Sequence, residues 1–112
     1  MILILGGTTE GRKVVGIAEE AGKPYYYSTK GDEQEISLQH GIRLTGALTQ
    51  TTMKALCRKN GIRLLVDAAH PFAEQLHATV TAVSQALGIP CVRYERMYDD
   101  LFKLFNEVMY DE

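Results

Sequence analysis

The sequence predicts an α/β fold, a Rossmann-like doubly wound parallel sheet of about five strands, and two observations lead to it. Apolar strand-like runs alternate with stretches whose apolar residues recur at helical spacing. Helical stretches also end in a glycine shortly before the next strand, at Gly22, Gly61 and Gly88. The 112 residues fit one domain of ordinary size.

The first third of the chain is predicted to be a βαβ unit. Ile2–Leu5 is a continuous apolar run ended by two glycines, the pattern of a strand buried on both faces. Thr9 is the predicted N-cap of the first helix, whose apolar stripe ends at Gly22. Tyr25–Ser28 is the second strand, so we expect two parallel strands joined by a right-handed crossover.

The middle of the chain is predicted to add two more strands. Residues 29–40 are mostly polar and are interpreted as a loop with at most one short edge strand. Ile42–Leu44 is the third strand, and Thr49 caps the second helix. Ile62–Val66 is the fourth strand.

The last third is predicted to hold a long helix, the fifth strand and a helical tail. The helix covers Phe72–Leu87, with Pro71 suited to its first turn, and Cys91–Tyr94 is the fifth strand. Asp99 or Asp100 then caps a helix with a wide apolar face. In a complete domain this face packs on the sheet, whereas an exposed face would serve a partner, most simply a second copy.

Composition excludes several classes of function. Twelve basic and fourteen acidic residues give a net charge of −2, so we expect no binding to nucleic acid or to membranes. No apolar run approaches the ~18 residues of a membrane span, and no signal peptide is recognised, so we expect a cytoplasmic protein. Cys57 and Cys91 lack metal-ligand spacing and are expected to be buried thiols.

The turn between the first strand and the first helix is the most informative segment. Helix N-termini favour phosphate through unpaired N–H groups and the helix dipole. The candidates for contact with phosphate are Gly6, Gly7, Thr8, Thr9, Glu10, Gly11 and Arg12. The dinucleotide fingerprint GxGxxG is met at Gly6 and Gly11, with Thr8 as a hydroxyl donor in place of the middle glycine. The P-loop pattern is missed at Arg12 and Lys13, and a tight turn without ligand remains the alternative.

The end of the second strand bears on cofactor choice. A carboxylate at this position is typical of NAD binding, and basic or hydroxyl groups are typical of NADP binding. Here Ser28 and Lys30 are the candidates for the adenosine end, and Asp32 follows only after Gly31. The pattern favours NADP over NAD, and the alternative is a solvated turn.

Asp67–Ala73 follows the fourth strand, at the edge where doubly wound sheets bind ligands. His70 is the candidate catalytic residue, donating a proton or a hydrogen bond to a substrate. Asp67 is expected to fix the tautomer of His70 or to cap the following helix. A metal site of His70, Glu74 and His77 is not adopted, since it lacks a cysteine or second carboxylate, and His77 is expected to be a surface or helix-flanking residue.

Arg93 and Arg96 leave the fifth strand at the same edge. Arginines bind carboxylates through bidentate hydrogen bonds, so both are candidates for substrate binding. A salt bridge of either arginine with Glu95 is the structural alternative. The chain has no recognisable spacing of a Ser-His-Asp or Cys-His nucleophile.

These three segments, in this order and spacing, resemble the N-terminal half of the precorrin-6A (cobalt-precorrin-6A) reductases of cobalamin biosynthesis. The resemblance covers residues 1–96 and implies a Rossmann-like nucleotide-binding domain, followed by a divergent helical tail at 97–112. It further implies the reduction of one double bond in a carboxylate-rich tetrapyrrole by hydride from NADPH, or from NADH. The family's cofactor lies between two domains.

Three departures from the family are visible. Ala69 replaces a threonine, Met97 replaces a proline, and the family's second domain is absent from the 112 residues. We therefore expect a fragment, a truncated product, or a half that pairs with a separate second half or as a homodimer through the tail. The hypothesis is an NADPH-dependent tetrapyrrole reductase. The alternative is a non-catalytic nucleotide-binding or self-associating domain on the same scaffold.

Overall fold

The computed structural model describes residues 1–32, 34–94 and 98–108, and these form one five-stranded parallel sheet with four helices. The strands are β1 (Ile2–Leu5), β2 (Tyr25–Thr29), β3 (Gly41–Thr45), β4 (Leu64–Asp67) and β5 (Cys91–Arg93). The helices are α1 (Thr9–Ala21), α2 (Gln50–Asn60), α3 (Glu74–Leu87) and α4 (Tyr98–Val108). The predicted fold class is confirmed.

The strand order is β3-β2-β1-β4-β5, and every neighbouring pair is parallel. β1 lies at the centre, paired with β2 on one side and β4 on the other. β2 and β3 are added on one side of β1 and β4 and β5 on the other, so the order of strand addition reverses at β1. In doubly wound folds such a reversal opens a crevice at the carboxyl ends of the strands. All candidate site residues of the described chain lie at the carboxyl ends of strands or in the segments that follow them.

Each face of the sheet has its own apolar core. On one face the sheet packs against α1 and α4, and its buried members include Ile4, Val14, Ile17, Tyr27, Val66 and Phe105. On the other face it packs against α2 and α3, with Leu3, Leu5, Met53, Cys57, Val80 and Val83 among the buried residues. The central strand β1 is at most 1% exposed, as expected for a strand covered on both faces.

Helix α4 belongs to the first of these cores. Phe105 is fully buried, and Phe102, Leu104 and Val108 pack partly buried around it, beside α1. The apolar face of the tail thus packs on the sheet, as expected for a complete domain. The predicted caps were wrong, because the helix begins at Tyr98 and both aspartates lie inside it.

Several predicted boundaries of helices and strands shift by one or two residues. Thr8, not Thr9, caps α1, because its backbone is extended and its hydroxyl accepts from the Gly11 N–H at 3.0 Å. Helix α3 begins at Glu74, and the preceding Pro71 lies in a turn. Thr49 caps α2 as predicted, in a capping box with Thr52.

At the sheet margins, the loop predicted between β2 and β3 is confirmed, and one expectation for the cysteines was wrong. The described residues between β2 and β3 hold no strand, and their apolar side chains Ile36 and Leu38 pack against the core instead. Cys57 is buried as expected, but Cys91 is exposed because β5 is an edge strand that α3 covers only partly. No helix in the described ranges has the length and apolar character needed to cross a membrane.

The glycines of the first turn make room for Tyr27. A Cβ atom on Gly6 would lie 2.3 Å from the Tyr27 ring, and one on Gly11 would lie 2.7 Å from its hydroxyl and 3.0 Å from the Gly6 Cα. Gly7 has a φ of +98°, which other residues rarely adopt. The glycine pattern is therefore required by packing whether or not a ligand binds.

Replacement by alanine should change the stability of the protein in opposite directions at two glycines of α1, because Tyr27 packs against Gly11 but not against Gly16. We expect Gly11→Ala to cost about 1–3 kcal/mol through overpacking. Gly16→Ala should stabilise by about 0.5–1 kcal/mol, because Gly16 is exposed in mid-helix with nothing within 4 Å of the new methyl group. Urea unfolding followed by circular dichroism measures both, and equal effects would contradict the packing role of Gly11.

Glu19 on α1 binds the segment that precedes β3 through hydrogen bonds to its backbone. Its carboxylate accepts hydrogen bonds from the Tyr25 hydroxyl at 2.5 Å and from the N–H groups of Gln39 and His40, each at 2.9 Å. Burial raises the pKa of Glu19, but these hydrogen bonds favour the charged form and leave the pKa below its ordinary value of 4.5.

The lowered pKa predicts how stability depends on pH. A carboxyl whose pKa is lower in the folded state stabilises above its unfolded value and loses this contribution as the pH falls through the folded value. We expect the wild type to exceed Glu19→Gln in stability at neutral pH and the difference to shrink below pH 4.5. Urea unfolding across this range measures it, with exposed Glu35→Gln as the control. A pH-independent difference would refute the assignment.

Candidate functional site

An open cleft of about 920 Å³ lies at the carboxyl edge of the sheet. Its floor is the turn after β1, with Gly6, Gly7 and Thr8. One wall is formed by the loops after β2 and β3 and the start of α2, and the other by the loop after β4 and the first turns of α3. The cleft therefore occupies the crevice that the strand order predicts.

Hydrogen bonds already occupy part of the phosphate-binding turn. The Gly7 N–H donates to the Tyr27 hydroxyl at 2.9 Å, and the Gly6 N–H donates to the Ser28 carbonyl at 2.9 Å. The Gly11 N–H is taken by the Thr8 hydroxyl. In the described part of the chain, the N–H groups of residues 8–10 meet no acceptor, and of these three residues Thr8 lines the cleft.

The hydroxyl of Thr8 has a different role from the predicted one. It donates its hydrogen to the Ala68 carbonyl at 2.7 Å while accepting from the Gly11 N–H. The sequence had suggested that this hydroxyl donates to a phosphate. In the structure its hydrogen is already used by the Ala68 carbonyl. It joins the first turn to the loop after β4. The predicted contacts at Thr9, Glu10, Gly11 and Arg12 do not line the cleft.

Tyr27 and Gln34 organise the floor of the cleft. The buried Tyr27 hydroxyl donates to Gln34 Oε1 at 2.5 Å, and Gln34 Nε2 donates to the Thr8 carbonyl at 3.0 Å. Sequence reasoning missed both residues. The available signal was the pair of glycines at 6 and 11, which indicates that a large neighbour approaches the turn.

The predicted adenosine end lies in the same cleft. Ser28 and Lys30 both line it, and Lys30 is the one cationic side chain among the described lining residues. Arg43, which sequence reasoning did not single out, holds this loop by donating to Thr29 Oγ1 at 2.9 Å and to the Gln34 carbonyl at 2.8 Å. Its guanidinium lies 5.7 Å from the centre of the Tyr27 ring.

Asp67 binds a different histidine from the predicted one. Its Oδ2 lies 2.5 Å from His77 Nδ1, and its Oδ1 accepts from the Ala69 N–H at 3.2 Å. The other ring nitrogen of His77, Nε2, lies 2.9 Å from the His70 carbonyl. Both ring nitrogens of His77 thus face oxygen atoms, one of the Asp67 carboxylate and one of the His70 carbonyl.

His77 was expected on the surface, yet its side chain is only 14% exposed. It lies one turn into α3, and the spacing of residues in the sequence does not encode its contact with Asp67 at the end of β4. Both ring nitrogens are used, and within residues 1–32, 34–94 and 98–108 no three His, Cys, Asp or Glu side chains gather as a metal site.

His70 lines the cleft and offers a hydrogen-bond donor to it. Its Nδ1 accepts from the Phe72 N–H at 3.1 Å, so the neutral ring carries its hydrogen on Nε2. The described chain supplies no partner for Nε2, which leaves this N–H for a ligand. The geometry allows the donor role predicted for His70, although not through Asp67.

The structure does not bring Arg93 into this cleft. Arg93 is exposed opposite Asp67 in the β4–β5 register and lines a second depression of about 330 Å³ with His77 and Cys91. Asp67 lines this second depression too, whereas His70 lines the main cleft. The predicted substrate residues are thus divided between two concavities. Arg96 lies outside the described residues.

Comparison with known proteins identifies relatives. The cobalt-precorrin-6A reductase of Priestia megaterium is 32% identical over 99 residues, which cover 86% of this chain and 38% of that protein. The protein of the same name from Synechocystis sp. is 31% identical over 98 residues, 85% of this chain and 38% of that one. The chain spans about two fifths of the length of these relatives.

A solved structure shows the same arrangement. CobK precorrin-6A reductase superimposes with a TM-score of 0.76 at 26% identity, over 85% of this chain and 38% of that one. The family model described as "Precorrin-6x reductase CbiJ/CobK" matches residues 1–108. The match extends through α4, beyond residue 96, where the motifs alone had ended the resemblance. The chain belongs to the precorrin-6x reductase family, CbiJ/CobK.

Proposed function

We propose that this chain is the cofactor-binding part of an NADPH-dependent reductase that reduces one double bond of precorrin-6A or its cobalt form. The observation that carries the proposal is the continuity of the main cleft. The first βα turn, the Lys30 loop and the His70 loop all line one concavity at the switch point of the sheet. The family's activity supplies the reaction class.

The residues of the cleft fit a dinucleotide from end to end. The unpaired amide of Thr8 lines the cleft, and the unpaired amides of residues 9 and 10 follow it at the N-terminus of α1, where the helix dipole favours pyrophosphate. Ser28 and Lys30 would hold the adenosine end, and His70 lies on the opposite wall for the nicotinamide end. When bound, NADPH supplies the hydride, while this chain's groups bind and orient the reactants.

Cofactor choice is proposed from charge at the β2 end. Lys30 brings a cation to the cleft, and no carboxylate of the loop after β2 is among the described lining residues. A cation there favours the additional 2′-phosphate of NADPH over the bare ribose hydroxyl of NADH.

The substrate's carboxylates would meet a separate surface. Arg93 is exposed in the depression beside the main cleft, on the far side of the Asp67–His77 pair. We propose that Arg93 holds a ring carboxylate at this margin, and that Arg96 does the same. His70 then donates its Nε2 hydrogen bond to the ring from within the cleft.

One observation favours a second candidate. Tyr27 and Thr8 occupy two of the amides that a phosphate was expected to find open. A scaffold that binds no cofactor would have this property, and direct titration separates it from the reductase.

Lys30→Ala tests the cofactor assignment by calorimetric titration of the 112-residue chain. We expect NADPH affinity to fall about tenfold, the loss of one charge-assisted hydrogen bond, with NADH affinity changed less than twofold. Lys13→Ala is the matched control, since Lys13 is exposed on α1 away from the cleft. Equal losses for both cofactors would refute the assignment of Lys30. A folded wild type that binds neither would support the scaffold candidate.

A further inference from the structure

Phe72 is unusual among the large apolar side chains of the described residues. It is 84% exposed, while the next most exposed, Ile42, is 51% exposed. Phe72 also lines the main cleft, which Ile42 does not. An aromatic side chain in water forgoes the free energy that burial would bring, so its position on a ligand-sized concavity needs a reason.

The exposure does not come from a loose loop. Three contacts hold the backbone between β4 and α3. The Asp67 carboxylate accepts a hydrogen bond from the Ala69 N–H. The His70 carbonyl contacts His77 Nε2 and also accepts from the Ala73 N–H, each at 2.9 Å. The Phe72 N–H is itself bound to His70 Nδ1. The ring is therefore presented by a fixed backbone, which reduces the entropy lost on binding.

A second ring stands beside the first. The centroids of His70 and Phe72 are 5.2 Å apart with a 37° tilt between the rings. Next to this aromatic surface, His70 Nε2 offers an N–H group with no partner in the described chain. A flat conjugated ring with a hydrogen-bond acceptor at its edge complements this combination, because such rings stack on aromatic side chains.

We propose that Phe72 and His70 form a stacking surface for a planar conjugated ring of the ligand, in which Phe72 supplies the stacking face and His70 the hydrogen bond at the ring's edge, with His77 as the residue that positions it. The inference rests on the proposed function, which supplies two sources of such a ring, the nicotinamide of the cofactor and the tetrapyrrole of the substrate. Both share the chemistry that the surface recognises, so the test has one arm for each.

The experiment uses calorimetric titration of the 112-residue chain with three probes. Reduced nicotinamide mononucleotide carries the small ring, uroporphyrin carries the carboxylated macrocycle, and 2′-phospho-ADP-ribose carries the nucleotide phosphates without a nicotinamide. Phe72→Leu keeps an apolar side chain and removes the aromatic face, and Phe72→Tyr keeps the face. Ile42→Ala is the matched control at the other exposed apolar residue.

We expect Phe72→Leu to weaken at least one ring-bearing probe about tenfold, with Phe72→Tyr and Ile42→Ala within twofold of wild type. Loss with the mononucleotide assigns the surface to nicotinamide, and loss with uroporphyrin assigns it to the macrocycle. His77→Asn keeps both rings but releases the loop, so it should weaken the same probe. Affinity for 2′-phospho-ADP-ribose should be unchanged in all variants.

Three results would overturn the stacking surface. The first is that Phe72→Leu binds both ring probes as tightly as wild type. The second is that Phe72→Leu loses affinity for 2′-phospho-ADP-ribose to the same extent as for a ring probe. The third is that wild type binds neither ring probe. Failure of the proposed function has another signature, because wild type would then bind neither 2′-phospho-ADP-ribose nor NADPH, whatever the Phe72 variants do.

Discussion

The fully buried Tyr27 side chain fills the space that Gly6 and Gly11 leave open, and the floor of the cleft depends on this contact. Its hydroxyl accepts from the Gly7 N–H and donates to Gln34, which in turn holds the Thr8 carbonyl. The first βα turn, β2 and the loop after β2 thereby meet at one oxygen. Any larger residue at 6 or 11 would displace the ring and break this junction.

The same contact changes how the glycine fingerprint should be understood. Glycines at a βα turn are usually explained by the approach of a phosphate, but here two of them are required by a tyrosine and by close contact of helix and strand. The amides without an acceptor are consequently fewer than the motif suggests, and in this turn of the described chain they are those of residues 8–10. The glycine fingerprint is thus explained by packing within the chain itself.

Periodicity was sufficient to predict the fold, and long-range contacts explain what it missed in the site. The alternation of apolar runs with glycine-ended helices predicted the fold class and nearly every strand. This was possible because a strand buried on both faces is a continuous apolar run that can be recognised in the sequence. The pairing of Asp67 with His77 depends on where α3 folds back over β4, which spacing does not encode. The exposure of Cys91 likewise follows from its place on an edge strand.

The Asp67–His77 pair explains why the predicted substrate residues fall into two places. Its imidazole bridges the buried carboxylate at the end of β4 and the carbonyl of His70, so it stands between the main cleft and the depression that holds Arg93. A flat ring on His70 and Phe72 would have its face toward the cleft and its edge free to extend past the pair. Carboxylates at that edge would lie near the exposed Arg93, whereas a hydride donor would lie on the side of the ring that faces the main cleft. The contact between Asp67 and His77 would then separate the recognition of charge from the chemistry of reduction.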